Sequence, residues 1–129
     1  MSKKTVLLVD DDEVFVEATT AILESVYEVR TASNGQEAHE AIARERPDVV
    51  VLDVMMDHLS EGFDVARKLK GDVATRHIPV VMLTGVDQVY DYRMEMDESF
   101  FPHDRFLEKP VTPEKLLQVL KEICAGDDS

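Results

Sequence analysis

Acidic side chains directly follow two of the hydrophobic segments of the chain. The run TVLLV leads into Asp10, Asp11 and Asp12, and the run VVVL leads into Asp53. Two carboxylates about 4 Å apart repel each other by roughly 4 kcal/mol at an effective dielectric constant of 20, so a cluster of them needs a cation nearby. Carboxylates and waters are the ligands that Mg²⁺ prefers. These residues therefore predict a magnesium site, provided that the segments that carry them are neighbours.

A threonine and a lysine end two later hydrophobic segments. Thr84 closes the run VVMLT, and Lys109 closes RFLEK. A carboxylate held beside a metal ion and an ammonium group can act as a nucleophile toward phosphorus, because both cations stabilise the transferring phosphoryl oxygens. The threonine hydroxyl can hydrogen-bond the product. Together the acids, the hydroxyl and the amine predict phosphoryl chemistry on an aspartate.

The hydrophobic pattern predicts alternating strands and helices that bring these residues together. Predicted strands cover residues 5–9, 27–32, 48–52, 78–84 and 105–109. Predicted helices cover 13–26, 33–46 and 61–70, a short or irregular helix lies in 86–104, and a last helix begins at Pro113 after its cap Thr112. Such alternation builds a parallel sheet with helices on both faces, and ligands bind beyond the carboxyl ends of its strands. We therefore expect the acids, Thr84 and Lys109 at one edge of the sheet.

Apolar residues at helical spacing predict which face of each helix is buried. The predicted buried residues are Phe15, Ala18, Ile22 and Val26 in the first helix, Ala38, Ala41 and Ile42 in the second, Phe63, Ala66 and Leu69 in the third, and Leu116, Leu117, Leu120 and Ile123 in the last.

Length and composition indicate one globular domain. The chain has 129 residues, of which 44% are hydrophobic, and its net charge is −13. Such a charge repels nucleic acid and anionic membranes, so we expect no direct partner of either kind. No apolar run approaches the roughly 20 residues of a membrane span. The single cysteine, Cys124, excludes an internal disulfide, and we expect a cytoplasmic protein.

Four segments resemble, in order and spacing, the signature blocks of the receiver domain of two-component response regulators. They are VLLVDDDE, VVVLDVMM, VVMLTG and FLEKPV, and the resemblance covers residues 4–124. It implies an α/β, flavodoxin-like (βα)5 three-layer sandwich with a five-stranded parallel sheet of strand order 2-1-3-4-5. The receiver domain would occupy residues 1–125, followed by a disordered tail at 126–129.

The resemblance assigns the acids to two roles. Asp53 corresponds to the phosphoacceptor of the family. Asp10 and Asp11 correspond to the acidic pair that holds Mg²⁺, and Asp12 lies outside the pair. The backbone carbonyl of Met55 would be a further metal ligand.

Three other positions match the family and imply the rest of the switch. Thr84 and Lys109 would contact the phosphoryl group, and Phe106 would be the aromatic switch residue. The implied protein is a single-domain response regulator in a two-component or phosphorelay pathway. Its donor would be a sensor histidine kinase or a histidine phosphotransfer protein, and its output would be contact with an unknown downstream protein. It would assist its own phosphorylation and dephosphorylation without being an enzyme.

Three alternatives remain open from the residues alone. Asp10, Asp12 and Val14 fit the opening motif of haloacid-dehalogenase-type phosphatases, which would carry phosphate on Asp10. A flavodoxin-like FMN protein shares the topology, but the acidic loop after the first strand would repel its phosphate. A receiver-shaped interaction module that is never phosphorylated is the third.

Overall fold

The computed structural model of the chain describes residues 3–53, 65, 67–84, 105–108 and 111–127. The predictions for Phe63, Ala66 and the segment 86–104 lie outside these residues.

The strands form one parallel sheet. They are β1 (Thr5–Val9), β2 (Glu28–Ala32), β3 (Val49–Asp53), β4 (Val80–Thr84) and β5 (Arg105–Glu108), in the order β2-β1-β3-β4-β5. The parallel sheet and the order of its first four strands confirm the predicted α/β fold. β5 pairs with β4 over four residues, from Arg105 opposite Val81 to Glu108 opposite Thr84.

The helices differ from the predicted ones mainly at their ends. They are α1 (Glu13–Leu23), α2 (Gly35–Arg44) and a C-terminal helix (Pro113–Asp127), and Val65 and residues 67–71 are also helical. α1 and α2 end earlier than predicted, and the C-terminal helix extends two residues into the predicted tail. Within the described ranges, every helix is too short or too polar to traverse a lipid bilayer.

Two hydrophobic layers cover the sheet, because successive strand residues point to opposite faces. One layer joins the sheet to α2 and the 67–71 helical segment through Leu7, Val9, Ala38, Ile42, Val50, Leu52, Val65, Leu69, Val80 and Met82. The other joins the sheet to α1 and the C-terminal helix through Val6, Leu8, Leu23, Val49, Val51, Val81, Leu83, Leu116, Leu120 and Ile123. β1, β3 and β4 are thus buried on both faces, as their unbroken hydrophobic runs predict.

The buried face of α1 corrects the prediction. Ala18 is exposed, and Val26 lies beyond the helix with 38% of its surface accessible. The residues that point inward are Thr19 and Leu23. The amide of Tyr27 donates to the carbonyl of Leu23, and this turn ends the helix before Val26. The prediction was wrong for Ala18 and Val26, because it selected apolar residues and passed over a buried threonine, whereas Phe15 is partly buried and packs against the hydrophobic core as predicted.

Candidate functional site

Strand register places the predicted acids side by side at the carboxyl edge of the sheet. Val9 of β1 pairs with Leu52 of β3, so Asp10 and Asp53, the next residue of each, are neighbours. Asp53 in turn pairs with Leu83, which precedes Thr84 at the end of β4. β3 therefore stands between the strand that leads to the acids and the strand that leads to the threonine.

Two of the acidic side chains are buried. Asp10 is 2% exposed and Asp53 is 1% exposed. The amide of Asp10 donates to the carbonyl of Ala32 over 3.0 Å, which continues the pairing of β1 with β2 by one residue. Its Oδ1 accepts a hydrogen bond of 2.9 Å from the amide of Asp12. The backbone thus fixes the Asp10 carboxylate at the end of the strand.

The three acids Asp10, Asp11 and Asp53 form one carboxylate group, with an oxygen of each within 4.8 Å of the others. Asp11 is the exposed member of this group. At 4.8 Å and an effective dielectric constant of 20, each pair of charges repels by about 3.5 kcal/mol. All three ligands are hard carboxylate oxygens, which is the donor set that suits Mg²⁺ rather than zinc or copper. The group therefore fits the predicted magnesium site.

Asp12 has a different role, which the sequence reasoning missed. It is the N-cap of α1, and its carboxylate accepts hydrogen bonds from the amides of Val14 and Phe15 over 3.1 and 3.2 Å. An aspartate directly before an amphipathic helix is a strong capping signal, so the sequence held the information. A side chain turned toward the helix does not supply the second acid that the phosphatase alternative needs beside Asp10.

The other predicted site residues lie on two strands or outside the described residues. The backbone of Thr84 ends β4 at the same edge as the carboxylate group. The backbone of Phe106 lies in β5 opposite Met82. Met55 and Lys109 are not among the described residues, although Lys109 directly follows the last residue of β5.

Comparison with known proteins bears on two of the three alternatives. The family profile described as response regulator receiver domain matches residues 6–121. The chain belongs to this family. Receiver domains are signalling modules that interact with histidine kinases and downstream targets, and they typically bind Mg²⁺. Membership excludes the phosphatase and FMN-protein alternatives.

Similar proteins differ in how much of their length the receiver domain represents. The chain is 43% identical to the response regulator PleD of Caulobacter vibrioides over 107 residues, which are 82% of the chain but 23% of PleD. It is 35% identical to protein PilH of Pseudomonas aeruginosa over 122 residues, which cover 94% of the chain and 98% of PilH. The chain spans about half the length of PhoB from the same organism, at 35% identity.

Solved receiver structures have the same fold. The chemotaxis response regulator CheY4 of Vibrio cholerae superimposes with a TM-score of 0.80 at 28% identity, covering 95% of this chain and 99% of CheY4. A response regulator receiver domain protein from Clostridium thermocellum gives a TM-score of 0.81 at 28% identity, with 97% of each chain covered. The fold of this chain is thus the CheY-type receiver fold.

Proposed function

We propose that this chain is a phosphorylation switch that accepts a phosphoryl group on Asp53 from a phosphohistidine. The supporting observation is the carboxylate group itself, in which a buried Asp53 stands within 4.8 Å of Asp10 and Asp11. We also infer the complete (βα)5 arrangement, in which a helix follows each of the five strands. In that arrangement Asp53 ends the central strand, between the acids and Thr84.

Position favours Asp53 over Asp10 as the phosphoacceptor. β1, which leads to Asp10, is one strand further from Thr84 than β3 is. Asp53 is adjacent to both β1 and β4, so a group attached to it can contact residues from either side. Asp10 and Asp11 would then hold Mg²⁺ together with the phosphoacceptor and the carbonyl of Met55.

The proposed transfer is a simple displacement at phosphorus. A carboxylate oxygen of Asp53 attacks, the new P–O bond forms, the P–N bond to the donor histidine breaks, and the imidazole leaves and takes up a proton. Mg²⁺ would neutralise charge on the phosphoryl oxygens. Lys109 and Thr84 would contact those oxygens, and the Phe106 ring would change its packing on phosphorylation.

Phosphorylation with a small donor tests this proposal. Protein incubated with acetyl phosphate and Mg²⁺ should gain one phosphoryl group by intact mass, and peptide mapping should place it on Asp53. Asp53→Asn should abolish the gain, whereas Asp12→Asn, an exposed acid that only caps α1, should retain it. A phosphate mapped to Asp10 would contradict the proposal. A failure of the wild type to react with or without Mg²⁺ would favour the interaction module that is never phosphorylated.

Partners and location complete the proposal. The donor is a sensor histidine kinase or a histidine phosphotransfer protein, and the output is contact with a downstream protein in the cytoplasm, without direct contact to nucleic acid or membrane. Val14 is 78% exposed in the first turn of α1, two residues after the capping residue Asp12. It offers the donor protein an apolar contact beside the acids.

A further inference from the structure

A groove with a volume of about 400 Å³ lies between α2 and the segment 68–75. Its floor is apolar, because Ile42 and Leu69 are buried core residues that reach its base. Ala43 and Ala74 form apolar parts of its walls. We call this surface the α2 groove; its remaining lining residues are His39, Arg46, Lys68, Asp72 and Thr75.

The α2 groove lies at the edge of the sheet opposite the carboxylate group. α2 begins after the carboxyl end of β2 and ends before the amino end of β3, and its C-terminal half lines the groove. The other wall precedes the amino end of β4. The groove therefore lies toward the amino ends of the strands, whereas Asp53 lies at the carboxyl end of β3.

Hydrogen bonds hold the walls of the groove in place. Arg46 Nη1 donates to the carbonyl of Ala74 over 3.2 Å, which ties α2 to the opposite wall. The buried hydroxyl of Thr75 donates to the carbonyl of Leu69 over 2.8 Å. Lys70 Nζ donates to the carbonyl of Ile78 over 3.0 Å. A groove formed before binding saves the ligand the cost of ordering the protein.

The two segments that form the groove are rich in lysine and arginine for a strongly acidic protein, and Arg46 and Lys68 line the groove itself. Six of the 14 lysines and arginines lie at the end of α2 or in residues 67–76: Arg44, Arg46, Arg67, Lys68, Lys70 and Arg76. The acid that lines the groove, Asp72, accepts a hydrogen bond from the amide of Ala74 within its own turn. Glu45 forms an ion pair with Arg30. At the rim, Val73 is 74% exposed.

We propose that the α2 groove binds an acidic, amphipathic peptide segment of a partner protein, whether or not Asp53 is phosphorylated. The apolar floor accepts a leucine or phenylalanine side chain, and the cationic rim pairs with glutamates or aspartates that flank it. A nucleic acid fits less well, since a net charge of −13 repels its backbone and the apolar floor contacts nothing on it. The groove thus binds a partner protein constantly, while phosphorylation takes place at the opposite edge of the sheet.

Selection from a random-peptide phage library tests the proposal without knowledge of the partner. Peptides selected on wild-type protein should be enriched in acidic residues around a leucine or phenylalanine. In fluorescence anisotropy, the Kd of a selected fluorescein-labelled peptide should rise at least about tenfold in Lys68→Glu. Ala43→Trp, which fills the groove without a change of charge, should have a similar effect. Acetyl phosphate with Mg²⁺ should leave the Kd unchanged.

Matched variants outside the groove separate this result from general effects. Lys115→Glu changes the net charge as Lys68→Glu does, and Ala18→Trp adds an indole at an exposed position of α1; both should keep the Kd within about twofold. Selection of peptides without acidic enrichment would overturn the proposal. A Kd in Lys68→Glu and Ala43→Trp equal to that of the wild type would also overturn it. So would binding of a DNA duplex that both groove variants abolish, or self-association in sedimentation that they abolish, since the occupant would then be another molecule.

Discussion

Replacement of Asp11 by asparagine should stabilise the metal-free protein and remove its response to Mg²⁺. Asp11 contributes one of three carboxylates whose oxygens lie within 4.8 Å of one another. The asparagine has nearly the same shape, so the main change is the loss of one negative charge. Folding brings Asp11 close to Asp53, which is distant in the sequence, whereas Asp10 remains the neighbour of Asp11 in the unfolded chain as well. The substitution therefore removes mainly the repulsion between Asp11 and Asp53, which only the folded state contains.

The size of the effect follows from the distances. At 4.8 Å, the repulsion between Asp11 and Asp53 is about 3.5 kcal/mol at a dielectric constant of 20 and about 0.9 kcal/mol at 80. Because Asp11 is exposed, water and salt screen it, and the gain should lie near the lower limit, at about 1 kcal/mol. For a domain of this size, such a gain raises Tm by about 3–5 °C.

Thermal unfolding with EDTA and with Mg²⁺ measures both parts of the prediction. Without metal, Asp11→Asn should melt above the wild type, and added salt should narrow the difference. With Mg²⁺ at about 100 times its Kd, the wild type should gain about 2.7 kcal/mol and the variant almost nothing. Asp12→Asn is the matched control, since it also removes one negative charge, from the residue adjacent to Asp11, and asparagine caps α1 as well as aspartate does. An Asp11→Asn protein that melts at or below the wild type in EDTA would refute the reasoning.

Three further predictions concern buried and capping groups. No described residue hydrogen-bonds the fully buried hydroxyl of Thr19, so Thr19→Val should raise the free energy of unfolding by about 1 kcal/mol, measured as a higher urea midpoint at an unchanged m-value. The same substitution at the half-buried Thr20 should raise it by less, and no gain at Thr19 would show that its hydroxyl has a hydrogen-bond partner. Asn34→Ala should cost about 1 kcal/mol in the same assay, because Asn34 Oδ1 caps α2 by accepting from the amide of Glu37 at 2.8 Å, whereas Asn34→Ser should cost little. Hydrogen bonds from the backbone amide and the hydroxyl of Ser33 lower the pKa of Glu37 below its ordinary 4.5, so its contribution is present above that pH and is lost as the pH falls through the folded pKa. The stability difference between wild type and Glu37→Gln should therefore shrink on acidification, and a difference that grows would contradict the assignment.

The sequence predicted the sheet better than the helix faces, for a physical reason. The runs around Val6, Val51 and Val81 contain only apolar residues, because both faces of a central parallel strand are covered. To predict that such a run is buried, one need not know which residues point to which face of the sheet. A helix buries one stripe, so an error of one residue changes the answer, as Thr19 in place of Ala18 shows. Nothing in a threonine distinguishes a buried hydroxyl from a solvated one before the packing is known.

The candidate site was predictable as far as strand order was predictable. Asp10 and Asp53 are 43 positions apart, and only the placement of β3 beside β1 makes them neighbours. Alternation of strands and helices predicted an edge where such residues meet, and family resemblance supplied the order. The capping role of Asp12 was available from its position directly before α1, and it was missed because Asp12 was considered only as the neighbour of the acidic pair. The roles of all the predicted site residues remain predictions, and Met55 and Lys109 also lie outside the described residues.

A buried hydrophobic strand can end on a carboxylate because its other residues stabilise the fold by more than the charge costs. Burial of one valine or leucine side chain contributes about 1.5–3 kcal/mol, so one to three such residues offset a carboxylate pair that repels by about 3.5 kcal/mol. In β3, Val49, Val50, Val51 and Leu52 are fully buried ahead of Asp53. The residues that create the repulsion are therefore held by the part of the sheet that can best tolerate it. A cation that binds to the three carboxylates reduces a repulsion that is already present in the folded protein. For this reason, Mg²⁺ binding and folding stability should both depend on the same three side chains.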